Sequence, residues 1–227
     1  MESSAPSPPG LRESNKARTR QAISDVATRL FIAHGFEQVT VAQIAAAAQV
    51  SVKTVFNYFP SKEDLFFDRA DDVVGVLVRT VTERPAGTTI TEALRAVLAD
   101  RRVPFDQDGW KSLRGHERYD GFRSFLAAEQ ASPALRARRL VVAEAWIERL
   151  ADVFAGELGL RAGDRRARAF AAMVVAAMGL RERTLSASML ERAGAATVER
   201  RVRAVVDDAF ARIARAFDDL DRPRSQA

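Results

Sequence analysis

Apolar positions along this chain recur at helical spacing almost throughout, and no stretch alternates apolar and polar residues between hairpin turns as strands would. The first stripe is Ile23, Val26, Ala27, Leu30 and Phe31, one face of a helix starting near Asn15. Gly35 supplies its left-handed stop. Thr40-Val-Ala-Gln43 has the spacing of a capping box, after which Val41, Ile44, Ala45 and Ala48 face inward. Ser51 opens a short third helix with Val52, Val55, Phe56 and Phe59 as its expected buried side. Pro60 ends that helix, because it has no N–H to donate and biases Phe59 away from helix. Ser61-Lys-Glu-Asp64 is a second cap, predicting a long fourth helix through about Thr82.

The same periodicity continues beyond the break at Pro85-Ala-Gly87. Thr91 to Arg102 predicts a helix, Pro104 to Tyr119 an irregular stretch, and Phe122 to Glu129 a short helix. Ser132-Pro133 is an N-cap followed by an N1 proline, opening a long helix to about Leu158. Asp164 to about Glu191 is apolar nearly all round in its middle, which predicts burial on several sides, with Gly194 as its stop. Val198, Val202, Val205, Val206, Ala209, Phe210, Ile213 and Phe217 form a last stripe. The fold class is therefore all-α. The expected organisation is a disordered tail at 1–13, a three-helix domain at 14–60, a larger helical domain at 61–220 and a short tail at 221–227.

Composition narrows the chemistry. The 227 residues include no cysteine, which excludes disulfides and thiolate sites, and only two histidines, His34 and His116, which excludes a multi-histidine metal site. His34 sits at a helix end, as a cap would, and His116 in the irregular stretch suits a surface role. No phosphate-cradling glycine loop or nucleophile elbow occurs, so no catalytic residue, metal or cofactor is expected. The Ser/Pro-rich start has no apolar signal core, and the longest apolar run, Ala169 to Leu180, is far short of the ~20 residues that span a bilayer. A cytoplasmic protein without membrane partners is expected. The net charge of +5 says little about partners, since residues 1–68 carry seven basic and seven acidic side chains.

Placement of residues says more than charge. Two consecutive helices joined by a turn of about four residues, the second short and polar on one side, match a helix-turn-helix. Ala45, Ala46, Ala47 and Ala48 would let the first helix pack closely under the second. The N-terminus of the helix at Thr40 offers free N–H groups to a phosphate. Ser51, Lys53, Thr54 and Asn57 would face a major groove, and Val52 could meet a thymine methyl. On spacing alone, Lys62 also fits an ordinary surface lysine and Tyr58 a core tyrosine. Arg12, Lys16, Arg18 and Arg20 form a basic run that reads either as a disordered solvated tail or as an arm on the phosphate backbone or in the minor groove.

The run Gly35-Phe-x-x-Val39-Thr-Val-x-x-Ile44-Ala-x-x-Ala48-x-Val50-Ser, then Thr54-Val-Phe-Asn-Tyr-Phe-Pro-Ser-Lys-Glu-Asp-Leu65, resembles the DNA-binding domain of TetR-family regulators. The match covers about residues 18–66, and Tyr-Phe-Pro-Ser-Lys-Glu is its most specific part. The resemblance implies a ligand-responsive dimeric repressor on a palindromic double-stranded DNA operator, associated with the nucleoid. Thr40 and Ser51 would touch phosphates, Lys53, Thr54 and Asn57 would reach bases or adjacent phosphates, and Tyr58 and Lys62 would clamp the backbone. One position departs: Phe56 stands where the family often has Tyr, which removes a hydroxyl-to-phosphate contact. The resemblance also implies homodimerisation through the last two helices and an unknown small-molecule effector. Leu98, Phe105, Trp110, Phe122, Phe125, Val142 and Trp146 would line its pocket, although each taken singly also fits core packing. A helical small-molecule-binding protein or carrier without DNA binding is the alternative reading.

Overall fold

The computed structural model describes residues 11–68, 70–99, 123 and 127–221, with side chains from Ser14 onward, and every regular element among them is an α-helix. The chain divides into two compact units, residues 1–68 and 69–227. The expected boundary at 60/61 thus moves eight residues on, because Leu65 and Phe66 are buried in the core of the first unit.

Four helices build that unit: α1 (Leu11–His34), α2 (Val41–Ala47), α3 (Val52–Tyr58) and α4 (Lys62–Phe66). Helix α1 starts at Leu11, earlier than Asn15 and inside the stretch expected to be a tail. A run of good helix formers is added at little cost once Ile23, Val26, Ala27 and Phe31 anchor the downstream turns. The basic run from Arg12 to Arg20 is consequently helical and not a disordered tail. Gly35 adopts φ +81° and its N–H bonds Phe31 O at 2.9 Å, as the periodicity predicts. Phe31, Phe36 and Phe66 form a triangle with ring centroids 5.2–6.0 Å apart, joining α1, the following turn and α4.

The predicted long helix from Ser61 to Thr82 is two helices, α4 and α5 (Ala70–Thr82). Apolar spacing carries straight across the break, so periodicity alone joins them. One tertiary contact is made where they part, the ion pair of Asp68 with Arg20 of α1, beside the edge-on packing of the neighbouring rings Phe66 and Phe67.

The second unit comprises α5, α6 (Ile90–Ala99), α7 (Pro133–Glu157), α8 (Arg165–Leu190) and α9 (Ala195–Ala216), with residues 127–131 also helical. Ser132 caps α7 ahead of Pro133. Asp164 caps α8, and its hydrogen bonds from Arg166 hold its carboxyl below the usual range. Helix α8 packs on both α7 and α9, α6 packs on α9, and α5 packs on α6 and α7. Phe170 of α8 lies 4.8 Å from Phe154 and stacks at 4.6 Å on Phe217, so one ring links three elements. The last stripe is inward as expected: Val198, Val202, Val206, Phe210, Ile213 and Phe217 are buried.

Helix α8 is buried on several sides as expected, with Met173, Ala176 and Leu180 left exposed, and one expectation changes here. Gly194 does not stop α8, which ends at Leu190 with Arg192 in the left-handed conformation; Gly194 is the N-cap of α9.

Two buried arginines hold connections. Arg84 donates from Nη1 to Val81 O and to Glu157 at 2.6 Å, and from Nε to Thr88 O at 3.2 Å, tying the α5–α6 turn to α7. Arg181, 1% exposed, donates from Nε to Leu98 O at 2.8 Å and pairs with Glu182 at 2.6 Å. Burial raises the Glu182 carboxyl above its ordinary range against the pull of Arg181 and Arg139.

The end of the described chain caps a distant helix. Asp221 accepts from Ile90 N at 2.7 Å and Thr91 N at 2.8 Å, covering the first N–H groups of α6. Thr89 and Glu92 add a capping box at the same terminus. Replacing Asp221 strands two buried donors, so Asp221→Ala should lower stability by about 1–3 kcal/mol in urea unfolding followed by circular dichroism. Exposed Asp219→Ala should leave the midpoint unchanged. Equal midpoints for the two variants would show that the cap carries no stability.

Candidate nucleic-acid interface

The turn between α2 and α3 is set by its hydrogen bonds. Helix α2 ends at Ala48, and Gln49 takes φ +56°. Val50 N donates to Ala45 O at 2.9 Å and Gln49 N to Ala46 O at 3.1 Å, the paired pattern of a Schellman motif. The left-handed position belongs here to glutamine where glycine is usual, at a cost of about 1 kcal/mol. Ser51 follows as the N-cap of α3: its Oγ accepts Thr54 N–H at 3.0 Å and lies 2.8 Å from Thr54 Oγ1. At the start of α2 the predicted capping box is complete, with Gln43 N donating to Thr40 Oγ1 at 3.2 Å and Thr40 N to Gln43 Oε1 at 2.8 Å. The sequence locates both helices and both caps. Gln49 carries no sequence signal of the turn it makes.

Helix α3 is anchored by fewer side chains than its apolar pattern predicts. Val55 is 0% and Phe59 1% exposed, whereas Val52 and Phe56, expected inward, are 41% and 48% exposed. The reason is geometric: a seven-residue helix lying on a small unit has one buried face, and Val55 and Phe59, one turn apart, fill it. In α2, Ala45 is buried and Ala48 half-buried, but Ala46 and Ala47 point to solvent. Close packing therefore needs two of the four alanines.

Among the candidate DNA contacts, Thr40, Ser51, Val52, Lys53 and Asn57 are exposed, while Thr54, Tyr58 and Lys62 are half-buried. Ser51 and Thr54 are engaged with each other in the cap. Lys53 and Asn57, one turn apart, have no hydrogen bond or ion pair within the chain among the described residues. Lys62 is occupied internally: Nζ donates to Phe36 O at 3.0 Å and sits 4.1 Å over the Phe36 ring. Arg20 is engaged as well, its guanidinium 4.8 Å over the Phe59 ring and paired with Asp68. These two cations clamp α4 to the α1–α2 turn and cover the inner anchor of α3. Sequence reasoning missed both roles, since contacts between positions 26 and 39 residues apart leave no local signal.

Charge is sorted within the unit. No Asp or Glu occurs from Thr40 to Pro60, the segment holding α2 and α3. The acids lie elsewhere, and Asp25, Asp64 and Asp68 are held by Gln21, Ser61 and Arg20. A unit that is neutral in sum thus carries none of its acids on the segment that holds α2 and α3.

The family model for bacterial regulatory proteins, tetR family, matches residues 23–68, which hold this helix pair. The HTH-type transcriptional regulator TcmR of Streptomyces glaucescens is 32% identical over 182 residues, 78% of this chain and 76% of that protein. The chain belongs to the TetR family. It is accordingly a helix-turn-helix transcriptional regulator that binds DNA. The HTH-type transcriptional repressor Rv1474c of Mycobacterium tuberculosis is 32% identical over 106 residues, covering 47% of this chain and 52% of that one. A solved SmeT–triclosan complex shares the fold, with a TM-score of 0.51 at 19% identity over 86% of this chain and 91% of that one. The TetR-family relatives named here are regulators, none of them an enzyme.

In this TetR-family chain the expected effector-pocket residues are only partly placed. Phe105, Trp110, Phe122 and Phe125 lie outside the described residues. Leu98 is buried at the end of α6, and Val142 and Trp146 are half-buried on α7. The Trp146 Nε1–H is buried with no hydrogen-bond partner among the described residues. A separate open groove of about 540 Å³ runs between α5 and α6, edged by Arg79, Glu83, Arg84 and Glu92, and includes none of the expected pocket residues. No helix among the described residues is long and apolar enough to cross a membrane.

The strained turn makes a local test. Gln49→Gly should leave the turn as stable or slightly more stable. Gln49→Val, β-branched at positive φ, should speed hydrogen exchange at the Gln49 and Val50 amides by about fivefold or more. Unchanged exchange in Gln49→Val would mean that the turn is not held in the left-handed conformation.

Proposed function

We propose that this TetR-family regulator is a ligand-responsive dimeric repressor that lays α3 in the major groove of each half of a palindromic operator. The observation that carries the reading is the acid-free α2–α3 segment, in which exposed Lys53 and Asn57 have no intramolecular hydrogen bond or ion pair among the described residues. Lys53 and Asn57 reach base edges or adjacent phosphates, Thr54 flanks them, and Thr40, Ser51 and Tyr58 meet the phosphate backbone. Lys62 acts as a positioning residue through Phe36 and not as a primary phosphate clamp. Its ammonium is held in place by the Phe36 carbonyl at 3.0 Å and by the Phe36 ring at 4.1 Å.

Dimerisation follows from reach and from surface. One seven-residue helix touches too few bases for specific binding, and twofold recognition of half-sites about 34 Å apart is the usual remedy. Helix α8 carries the matching surface: Met173, Ala176, Leu180, Arg183, Ala187 and Leu190 alternate by three and four residues, and all are exposed. A stripe that is apolar but for Arg183 suits a second copy of the chain pairing through α8 and α9. The effector enters the second unit near Leu98, Val142 and Trp146, where the unpartnered indole N–H favours a ligand with a hydrogen-bond acceptor. Such a ligand lowers operator affinity to the extent that it binds the released state more tightly than the operator-bound one. The protein acts in the cytoplasm, on the nucleoid.

Gel-shift of the DNA flanking its own gene, with and without candidate ligands, tests the reading. A retarded fragment released by a ligand supports it; ligand binding with no retarded fragment at any protein concentration would sink it in favour of a carrier. Lys62→Ala should weaken operator binding while leaving the slope of log K against log salt unchanged, and a slope reduced by about one per subunit would restore the phosphate clamp. Leu180→Glu should convert the dimer to monomer in analytical ultracentrifugation and abolish the shift, with helix content unchanged. A dimeric Leu180→Glu protein would move the interface off α8.

A further inference from the structure

We infer that Phe56 is a specificity-determining residue that reads, with Val52 beside it, the 5-methyl group of a thymine in each operator half-site. This rests on α3 being the groove-facing helix. Among the described residues of the first unit, Val52 and Phe56 are the two large apolar side chains left exposed. Ile23, Phe31, Phe36, Val39, Ile44, Val55, Phe59, Leu65 and Phe66 are all buried. A unit that leaves no other large apolar side chain exposed among its described residues leaves two of them one helical turn apart on its reading helix.

Their neighbours say what they face. Each is followed directly by one of the two unpartnered polar side chains, Lys53 after Val52 and Asn57 after Phe56. An apolar ridge thus runs beside a polar ridge on a helix with no acid. Thr54, the polar residue between them, is half-buried and its hydroxyl is taken by the Ser51 cap. A phenyl ring has no donor or acceptor, so it distinguishes base pairs only through an apolar group. The major-groove edge offers one, the C5-methyl of thymine. Burying that methyl against Phe56 also removes from water a ring that is 48% exposed in the free protein.

The test uses duplexes enriched from a randomised pool by the full-length protein. Each thymine of the enriched half-site is replaced in turn by deoxyuridine, which deletes the methyl and keeps every hydrogen-bonding group. At one position per half-site the wild type should lose about fourfold in affinity, and about fifteenfold when both half-sites are changed. Phe56→Ala should bind the thymine duplex more weakly and show less than a twofold further loss on the deoxyuridine duplex. Phe56→Leu, which keeps apolar surface, should retain part of the thymine preference. Circular dichroism and exchange at the Val55 amide confirm that the variants keep α3. If no duplex is enriched, the DNA reading itself falls and this inference with it. If duplexes are enriched but every deoxyuridine substitution changes affinity less than twofold, or Phe56→Ala keeps the full methyl dependence, then Phe56 does not read thymine while the DNA reading stands.

Discussion

A seven-residue α-helix is unstable in water, because nucleation costs more than so few turns return. Helix α3 keeps its shape only through what fixes its two ends and its one inner face. Ser51 satisfies the first turn, and Val55 and Phe59 are driven into the core. The Schellman turn at Gln49 fixes its direction relative to α2. Phe59 is in turn covered by the Arg20 guanidinium. A short helix held this way can offer the rest of its surface to a partner, since none of the other side chains is needed to hold it. That separation of anchoring from reading positions is what the rest of the first unit is built to maintain.

The chain displays this architecture unevenly. Caps are local, and Thr40, Ser51, Ser132 and Asp164 each sit at the helix start their spacing predicts. Long amphipathic stripes are legible for the same reason, as in α9. What local pattern cannot give is the number of faces a helix buries. Val52 and Phe56 look like core by composition, and so does the middle of α8, yet both present apolar groups to solvent. A surface that awaits a partner has the composition of a core, so reading such a stripe as buried errs in a consistent direction. The split of α4 from α5 and the left-handed Gln49 were hidden differently, since each involves contacts or geometry with no consensus residue. The TetR resemblance and the polar side of α3 name the candidate contacts, and the structure leaves Lys53 and Asn57 exposed while Lys62 is engaged within its own unit.

In the second unit the buried polar groups do the ordering. Arg84 and Arg181 each reach main-chain carbonyls, and Asp221 reaches main-chain N–H groups, so the ends and turns of α5 and α6 are fixed by directional bonds and not by apolar contact alone. Apolar packing tolerates sliding, whereas a guanidinium seated on a carbonyl and a carboxylate favours one register. A unit registered in this way can transmit a ligand's preference between two discrete arrangements, because a small shift must break or keep whole hydrogen bonds.

The neutral first unit bears on how such a regulator selects its site. Non-specific DNA binding scales with the number of phosphates neutralised, so a face with few cations adheres weakly to bulk DNA. Between Thr40 and Pro60 the one basic side chain is Lys53, and the nearby Arg20 and Lys62 are engaged within the protein. Affinity must then come from fit, from base-edge contacts and from pairing two subunits on one site. Each of these is lost on the wrong sequence, whereas phosphate attraction is not. Engaging cations within the protein therefore raises the ratio of specific to non-specific binding, the quantity that matters against a genome of competing sites.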